Sequence, residues 1–299
     1  MKKNLILLSI ITFGFAYNGS ITGMTYFDYT RENGTSAFNF NRQYFNYAIE
    51  MSNDIKLKVV FDAGRTNELD EEDVRLVIFL KKAQLDYKTK WGNIQLGLIG
   101  TNSYGVQEKN WGYRFIEKSA MDKNKFVSTA DLGIGFSRKI FDNLNLGIQI
   151  VNGEGYKRPQ SDNYEKLSIN TTYGERNLPK NEGFNIGITF TSENTTSMLS
   201  MFGGFSFNGL RVGAESDFLT ENNIIHNLTS LTSGYSINNK IDAFARYDVL
   251  ENDGDVFKYY ISGIVYNCGS GLLVSPNVRT TNDDDTDDFV YSLNFQFTF

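Results

Sequence analysis

The sequence predicts an all-β fold: a closed antiparallel transmembrane β-barrel of about sixteen strands. Three observations lead there. Apolar and polar residues alternate with a period of two over most of the chain, and no convincing amphipathic helix interrupts them. The 299 residues include 24 Phe, 17 Tyr and 27 Gly but only 3 Pro, with a mean hydropathy of −0.34. That composition fits strands that place every second side chain in lipid and the others in water. The chain then ends on "DFVYSLNFQFTF", whose Phe289, Tyr291, Leu293, Phe295, Phe297 and Phe299 share one face, opposite Ser292, Asn294 and Gln296.

The elements follow in order. "MKKNLILLSIITFGFA" has a basic start at Lys2 and Lys3, an apolar run from Leu5 to Phe15, and small residues at Gly14 and Ala16. It reads as an export signal cleaved after Ala16, so residues 1–16 are expected to leave and 17–299 to form the barrel. That apolar run is short for a bilayer span, and no second run of about 18 apolar residues occurs. The first strands are predicted at Ser20–Tyr29, Asn39–Ser52, Ile55–Gly64, Val77–Lys90 and Asn93–Gly100. Ala130–Ile140, Leu144–Asn152, Glu165–Tyr173, Gly183–Thr191, Ser197–Phe207 and Leu210–Leu219 come next. Ile225–Ser236, Ile241–Leu250, Phe257–Tyr266, Leu272–Thr280 and Asp288–Phe299 complete the set. An even number of strands is what a closed antiparallel barrel needs.

Connections are expected to alternate between short periplasmic turns and long outer loops. The short ones are Asn53-Asp54, Gly92, Asp142-Asn143, Asn208-Gly209, Asn238-Asn239 and "NCGSG", with "GERNLPKNEG" (Gly174–Gly183) as a longer exception. The long ones are "RENGTSAF", "RTNELDEEDVR", Thr101–Thr129, "NGEGYKRPQSDNY", "LENDGD" and "TNDDDTD". A barrel of sixteen strands is too wide for its own side chains to fill, so it encloses water. The expected location is the bacterial outer membrane, among its lipid and lipopolysaccharide, with small hydrophilic solutes or anions as what passes.

Thr101–Thr129 is the longest connection. It carries Trp111, Tyr113, Phe115, Ile116, Met121 and Phe126 among its charges, and those apolar groups need a wall to pack on. The reading is a constriction loop folded into the lumen, with Lys109, Trp111, Arg114, Glu117 and Lys118 as its constriction residues. Selectivity in such a pore follows the charges at its narrow point. The inner faces of the strands are predicted to add Arg42, Lys56, Lys58, Lys82, Lys88, Arg211 and Arg246, with Lys258 and Arg279 as further inward candidates. An acidic chain of net charge −6 thus has a basic early wall, which favours anions mildly. The alternative is a structural or adhesive barrel with a closed lumen.

The sequence gives catalysis and metals little to work with. Cys268 is the single cysteine and His226 the single histidine. No enzyme activity, cofactor or metal is expected. A lipid-hydrolysing barrel would have to use His226, which is followed by Asn227 and Leu228 rather than by a serine. The acidic runs Glu68–Asp73 and Asp283–Asp288 offer the hard oxygen ligands that divalent cations bridging lipopolysaccharide would take, but they read first as solvated loop charges. "NGEG" (Asn152–Gly155) lacks the strand–glycine–helix setting of a phosphate cradle. The net charge gives no case for nucleic acid.

The export signal, inward loop and Phe-terminated last strand resemble Gram-negative general porins. "WGYRFIEKSAMD" (Trp111–Asp122), "STADLGIGF" (Ser128–Phe136) and "NGEG" are similar to predicted porins grouped with the phosphate-selective porin O and P family. The resemblance implies passive solute diffusion, anion handling by Arg114 and Lys118, and a homotrimer. It also implies that Phe299 is the aromatic end by which the barrel assembly machinery recognises its client.

Overall fold

The computed structural model describes residues 18–65, 75–283 and 286–299. The expected export signal and the run Glu68–Asp73 lie outside them. The strands are β1 (Asn18–Glu32), β2 (Thr35–Glu50), β3 (Ile55–Arg65), β4 (Leu76–Thr89) and β5 (Gly92–Gly100). Two short helices follow, α1 (Gly105–Trp111) and α2 (Ala120–Lys123). Then come β6 (Ala130–Phe141), β7 (Leu144–Val151), β8 (Lys166–Gly174), β9 (Gly183–Glu193), β10 (Thr196–Phe207) and β11 (Leu210–Glu221). The last are β12 (Ile224–Asn238), β13 (Ile241–Asn252), β14 (Asp255–Gly269), β15 (Leu272–Asp283) and β16 (Thr286–Thr298). All sixteen pair antiparallel with their chain neighbours, and β1 closes onto β16 to leave no free edge.

Alternation along each strand decides which residues face in. On β9, Phe184, Ile186, Ile188 and Phe190 are exposed on the outer surface, while Asn185, Thr189 and Thr191 are buried inside. Such an inversion, apolar outside and polar within, is the pattern of a barrel whose solvent outside is lipid. Rings crowd the turn end of the outer surface, among them Trp91, Tyr173, Phe184, Phe207, Tyr235 and Phe297. They sit where an interfacial aromatic girdle belongs.

The loop end differs from expectation. "RENGTSAF" and "LENDGD" are not long loops. Their strands run on and close through two-residue turns at Asn33-Gly34 and Asp253-Gly254, where all four residues have positive φ. Asn-Gly and Asp-Gly adopt that geometry readily, and it matches the strand twist. Asn222-Asn223 makes the same turn. "TNDDDTD" shrinks likewise, since β15 reaches Asp283 and β16 restarts at Thr286. The long connections at that end are therefore those after β3, β5 and β7.

Candidate functional site: a narrowed lumen

The connection after β5 lies inside the barrel against the wall formed by β10–β14. Gln107 of α1 donates to Ser200 at 3.2 Å, and the side-chain amides of Asn110 and Asn185 exchange hydrogen bonds of 2.9 and 3.0 Å. Arg211 reaches up from β11 to donate to the carbonyls of Asn110 and Trp111, both at 3.1 Å. Gly112, at φ 79°, ends the helix in the left-handed conformation and sends its amide back to Glu108.

Past that turn the apolar residues find their wall. Trp111, Tyr113, Phe115 and Ile116 pack with Phe244, Tyr259, Ile261 and Val265. Met121 and Phe126 pack with Met198, Leu219 and Leu228. Burying six large side chains of one loop is worth several kcal/mol, enough to hold it in place. The connection after β8 supports it from the turn end, with Leu178 buried close to Gly204 and α1.

Open space remains on the β1–β5 side. Toward the loop end, a space of about 470 Å³ is lined by Asp28, Arg42, Arg65, Glu117, Lys118 and Arg279 among others. Toward the turn end, about 300 Å³ lies between Lys58, Lys81 and Lys82 on the wall and Glu108 on the loop. A third space of about 370 Å³ lies instead toward β11–β16 at the turn end, beside Tyr113, Arg211, Asp242 and Gln296. Tyr26 and Arg114 line all three, so the lumen narrows where these two residues face each other. Below, a vestibule of about 680 Å³ is lined by Lys56, Lys88, Arg138, Lys139 and Arg176 with Asp54 and Asp86.

The cations at the narrow point differ in how they are held. Arg114 is paired within its own loop, 3.2 Å from Glu108 and 2.8 Å from Asp122. Arg42 and Lys81 share the fully buried Asp62 at 3.3 and 3.8 Å, and both donate to the Tyr44 hydroxyl at 3.0 and 3.3 Å. Lys58 and Lys82 have neither a hydrogen bond nor an ion pair among the described residues, yet they line the inner space. Four cations and one carboxylate therefore surround that space: Lys58, Lys81, Lys82 and Arg114 against Glu108.

The other sequence-predicted residues scatter. Lys118 is exposed in the outer space. Glu117 sits beside it, tied to Arg279 at 3.3 Å and to the Tyr259 hydroxyl at 2.9 Å. Burial pushes the Glu117 carboxyl up, but Lys123, Arg279 and Arg246 outweigh burial and hold it below its ordinary value. Lys109 is on the far side of α1, where burial and then Arg176 lower its pKa. Lys56 is at the turn end with Glu50, and Lys88 lines the same vestibule.

Three residues correct the sequence reading. Trp111 is buried, its indole N–H given to the Glu117 carbonyl at 2.9 Å, so it anchors the loop rather than facing the opening. Arg246 points inward but lies behind the loop. It is paired with Asp248, donates to the Lys118 carbonyl, and lies under the Trp111 ring, so it lines no open lumen. Lys258 pairs across from the outward Val249 and faces out.

Lys81, Tyr26 and Tyr44 were not foreseen. A strict two-residue period puts Lys82 inside and Lys81 outside. A β-bulge, visible in the register as Val60↔Lys82 followed by Phe61↔Leu80, turns both inward. The adjacent lysines gave no signal of it. His226 hydrogen-bonds Asn252 near the rim, and no group of three metal-ligating side chains occurs among the described residues.

No family model and no curated protein matches this chain. Solved structures do match its fold. A Salmonella typhi OmpF in complex with daunomycin aligns at TM-score 0.71 and 11% identity, covering 94% of this chain and 97% of that one. Vibrio cholerae OmpT, described as expressed in the outer membrane, aligns at 0.69 and 12%, covering 95% and 98%. A mutant porin of Rh. blastica aligns at 0.66 and 14%, covering 94% and 100%. At such identities the likeness is one of fold: a sixteen-stranded porin-type barrel.

Proposed function

We propose that the chain is a passive outer-membrane diffusion channel for small hydrophilic solutes, with a preference for anions set by the barrel wall. The observation that carries this is the row of water-accessible spaces along the β1–β8 side, each lined by more cations than carboxylates in a protein of net charge −6. Low-dielectric walls focus that field on whatever crosses. The outward apolar faces and closed hydrogen bonding fit a lipid surroundings, and the porin-type fold fits an outer-membrane residence. A closed, adhesive barrel would fill its lumen, and these spaces argue against that.

The filter we assign differs from the one read in the sequence. Arg114 and Lys118 were the loop candidates, but Arg114 is neutralised by Glu108 and Asp122. The unpaired Lys58 and Lys82 carry the preference. In planar bilayers the protein is expected to give steady conductance, and a salt gradient to give a reversal potential favouring Cl⁻. Replacing Lys58 and Lys82 together by Glu is expected to move that potential toward K⁺. An unchanged potential would sink the assignment, and absence of conductance would sink the channel.

Assembly as a homotrimer and recognition of Phe299 by assembly machinery belong to the same proposal. One aligned Vibrio cholerae OmpT is described in a trimer form, which supports the first. Native mass of the detergent-extracted protein tests it.

A further inference from the structure

The connection after β7, residues 152–165, also folds inward, and its "NGEG" turn is what sends it there. Asp131, at the start of β6, accepts hydrogen bonds from the amides of Gly153 at 2.8 Å and Gly155 at 3.2 Å. Lys166 bridges Glu193 at 2.7 Å and the Gly153 carbonyl at 3.1 Å. Gly153 and Gly155 have φ of 125° and 82°, and a Cβ on either would collide, with Glu193 and Ser128 respectively. This turn therefore accepts only glycine at both places.

Pinned in that way, the segment reaches over β5 and β6 to β3 and β4. The Tyr156 hydroxyl donates to Asp62 Oδ2 at 3.3 Å, and Lys81 lies over its ring at 5.4 Å. Lys157 lies over Phe79 of β4 at 5.2 Å. Burial, and then the neighbouring Asp62 charge, raise the Tyr156 phenol, so it stays a donor at any ordinary pH. Asp62 itself has no exposed surface, and its Oδ1 has no hydrogen-bond partner. It is a carboxylate set among the cations of the narrow point and closed off from the water beside it.

We propose that Tyr156 is an ion-selectivity residue: by covering Asp62 it keeps that carboxylate from permeating ions, so the excess of cations at the opening is not offset by it. The inference rests on the channel reading. Uncovering Asp62 would place a negative charge beside Arg42 and Lys81 in contact with the lumen, where a charge at the constriction sets the permeability ratio.

The test is the reversal potential in a KCl gradient for the wild type, Tyr156→Phe, Tyr156→Ala, and Asp62→Asn with and without Tyr156→Ala. Tyr156→Ala is expected to raise the K⁺/Cl⁻ permeability ratio by about two-fold or more. Tyr156→Phe keeps the ring and is expected to stay near wild type. In the Asp62→Asn background the Tyr156→Ala shift is expected to vanish. A Tyr156→Ala channel with the wild-type ratio overturns the proposal, as does an equal shift with Asp62 already replaced. Should Asp62→Asn not fold, the direction of the Tyr156→Ala shift decides alone. A wild type without conductance overturns the channel reading and this inference together, while a conducting wild type isolates the inference.

Discussion

Phe299 and Gly23 show how a single residue closes the barrel. They exchange both backbone hydrogen bonds, at 2.9 and 3.1 Å, and the Phe299 ring lies over the site where Gly23 lacks a Cβ. An aromatic ring laid over a strand glycine replaces packing that the glycine cannot supply. Phe299→Ala is therefore expected to lower the stability of refolded protein by about 1 kcal/mol, because the ring is more than half exposed. Heat-modified gel mobility after refolding in detergent measures that cost. The assembly role is separate: if Phe299 is an address, its loss lowers the folded yield in cells far more than in detergent, and equal losses would leave it a closing residue alone. Lys123 offers a second residue-scale prediction. Burial lowers its ammonium to about 8 from the ordinary 10.5. With the loop seated Lys123 binds fewer protons than when released, so raising the pH through that window favours the seated loop. A lysine-labelled NMR titration is expected to show one resonance moving near pH 8, and a value near 10.5 would show an exposed ammonium.

At the scale of elements, the loop after β5 depends on the wall it covers. Arg246 links the two: it is buried, paired with Asp248, stacked under Trp111 and bonded to the Lys118 carbonyl. Removing one member of a buried pair leaves the other charge uncompensated, a cost of about 3–5 kcal/mol. Arg246→Ala is expected to loosen the loop before it unfolds the barrel, raising single-channel conductance and current noise; a quiet channel of wild-type size would show that the apolar contacts suffice. Strand number and the outer faces were readable because lipid on one side and water on the other impose a strict period. The apolar loop residues were readable because a polar loop has no use for them. Lys81 was not, since a bulge inserts a residue into the period without marking the sequence. Nor was the position of Arg246 behind the loop, because the inward direction of a strand residue says nothing of what lies over it. The two-residue turns at Asn33-Gly34 and Asp253-Gly254 had a local signal, and the charges around them suggested length instead.

For the whole molecule, the difference between total and local charge is what matters. The chain carries −6 overall, yet the spaces on its β1–β8 side are bordered by more Lys and Arg than Asp and Glu. Much of the acid stands elsewhere, as in Glu221, Glu251, Asp253 and Asp255 at the rim beyond β11–β14. An ion approaching the loop end meets that rim before the cations of the lumen. The two fields differ in reach under salt. At 0.1 M the Debye length is about 10 Å, so the charges lining a water-filled space act together, while at 1 M it falls to about 3 Å and each acts alone. Ions that need not touch a wall then pass without discrimination. The Cl⁻ preference is accordingly expected to be clear in gradients near 0.1 M and to fade toward 1 M, with total conductance rising less than in proportion to salt. Reversal potentials at fixed gradient ratio over that range measure it. A preference that held unchanged to 1 M would mean that ions are stripped of water and bound one at a time, and would shift the account from a field across a wide opening to a discrete site at Lys58 and Lys82.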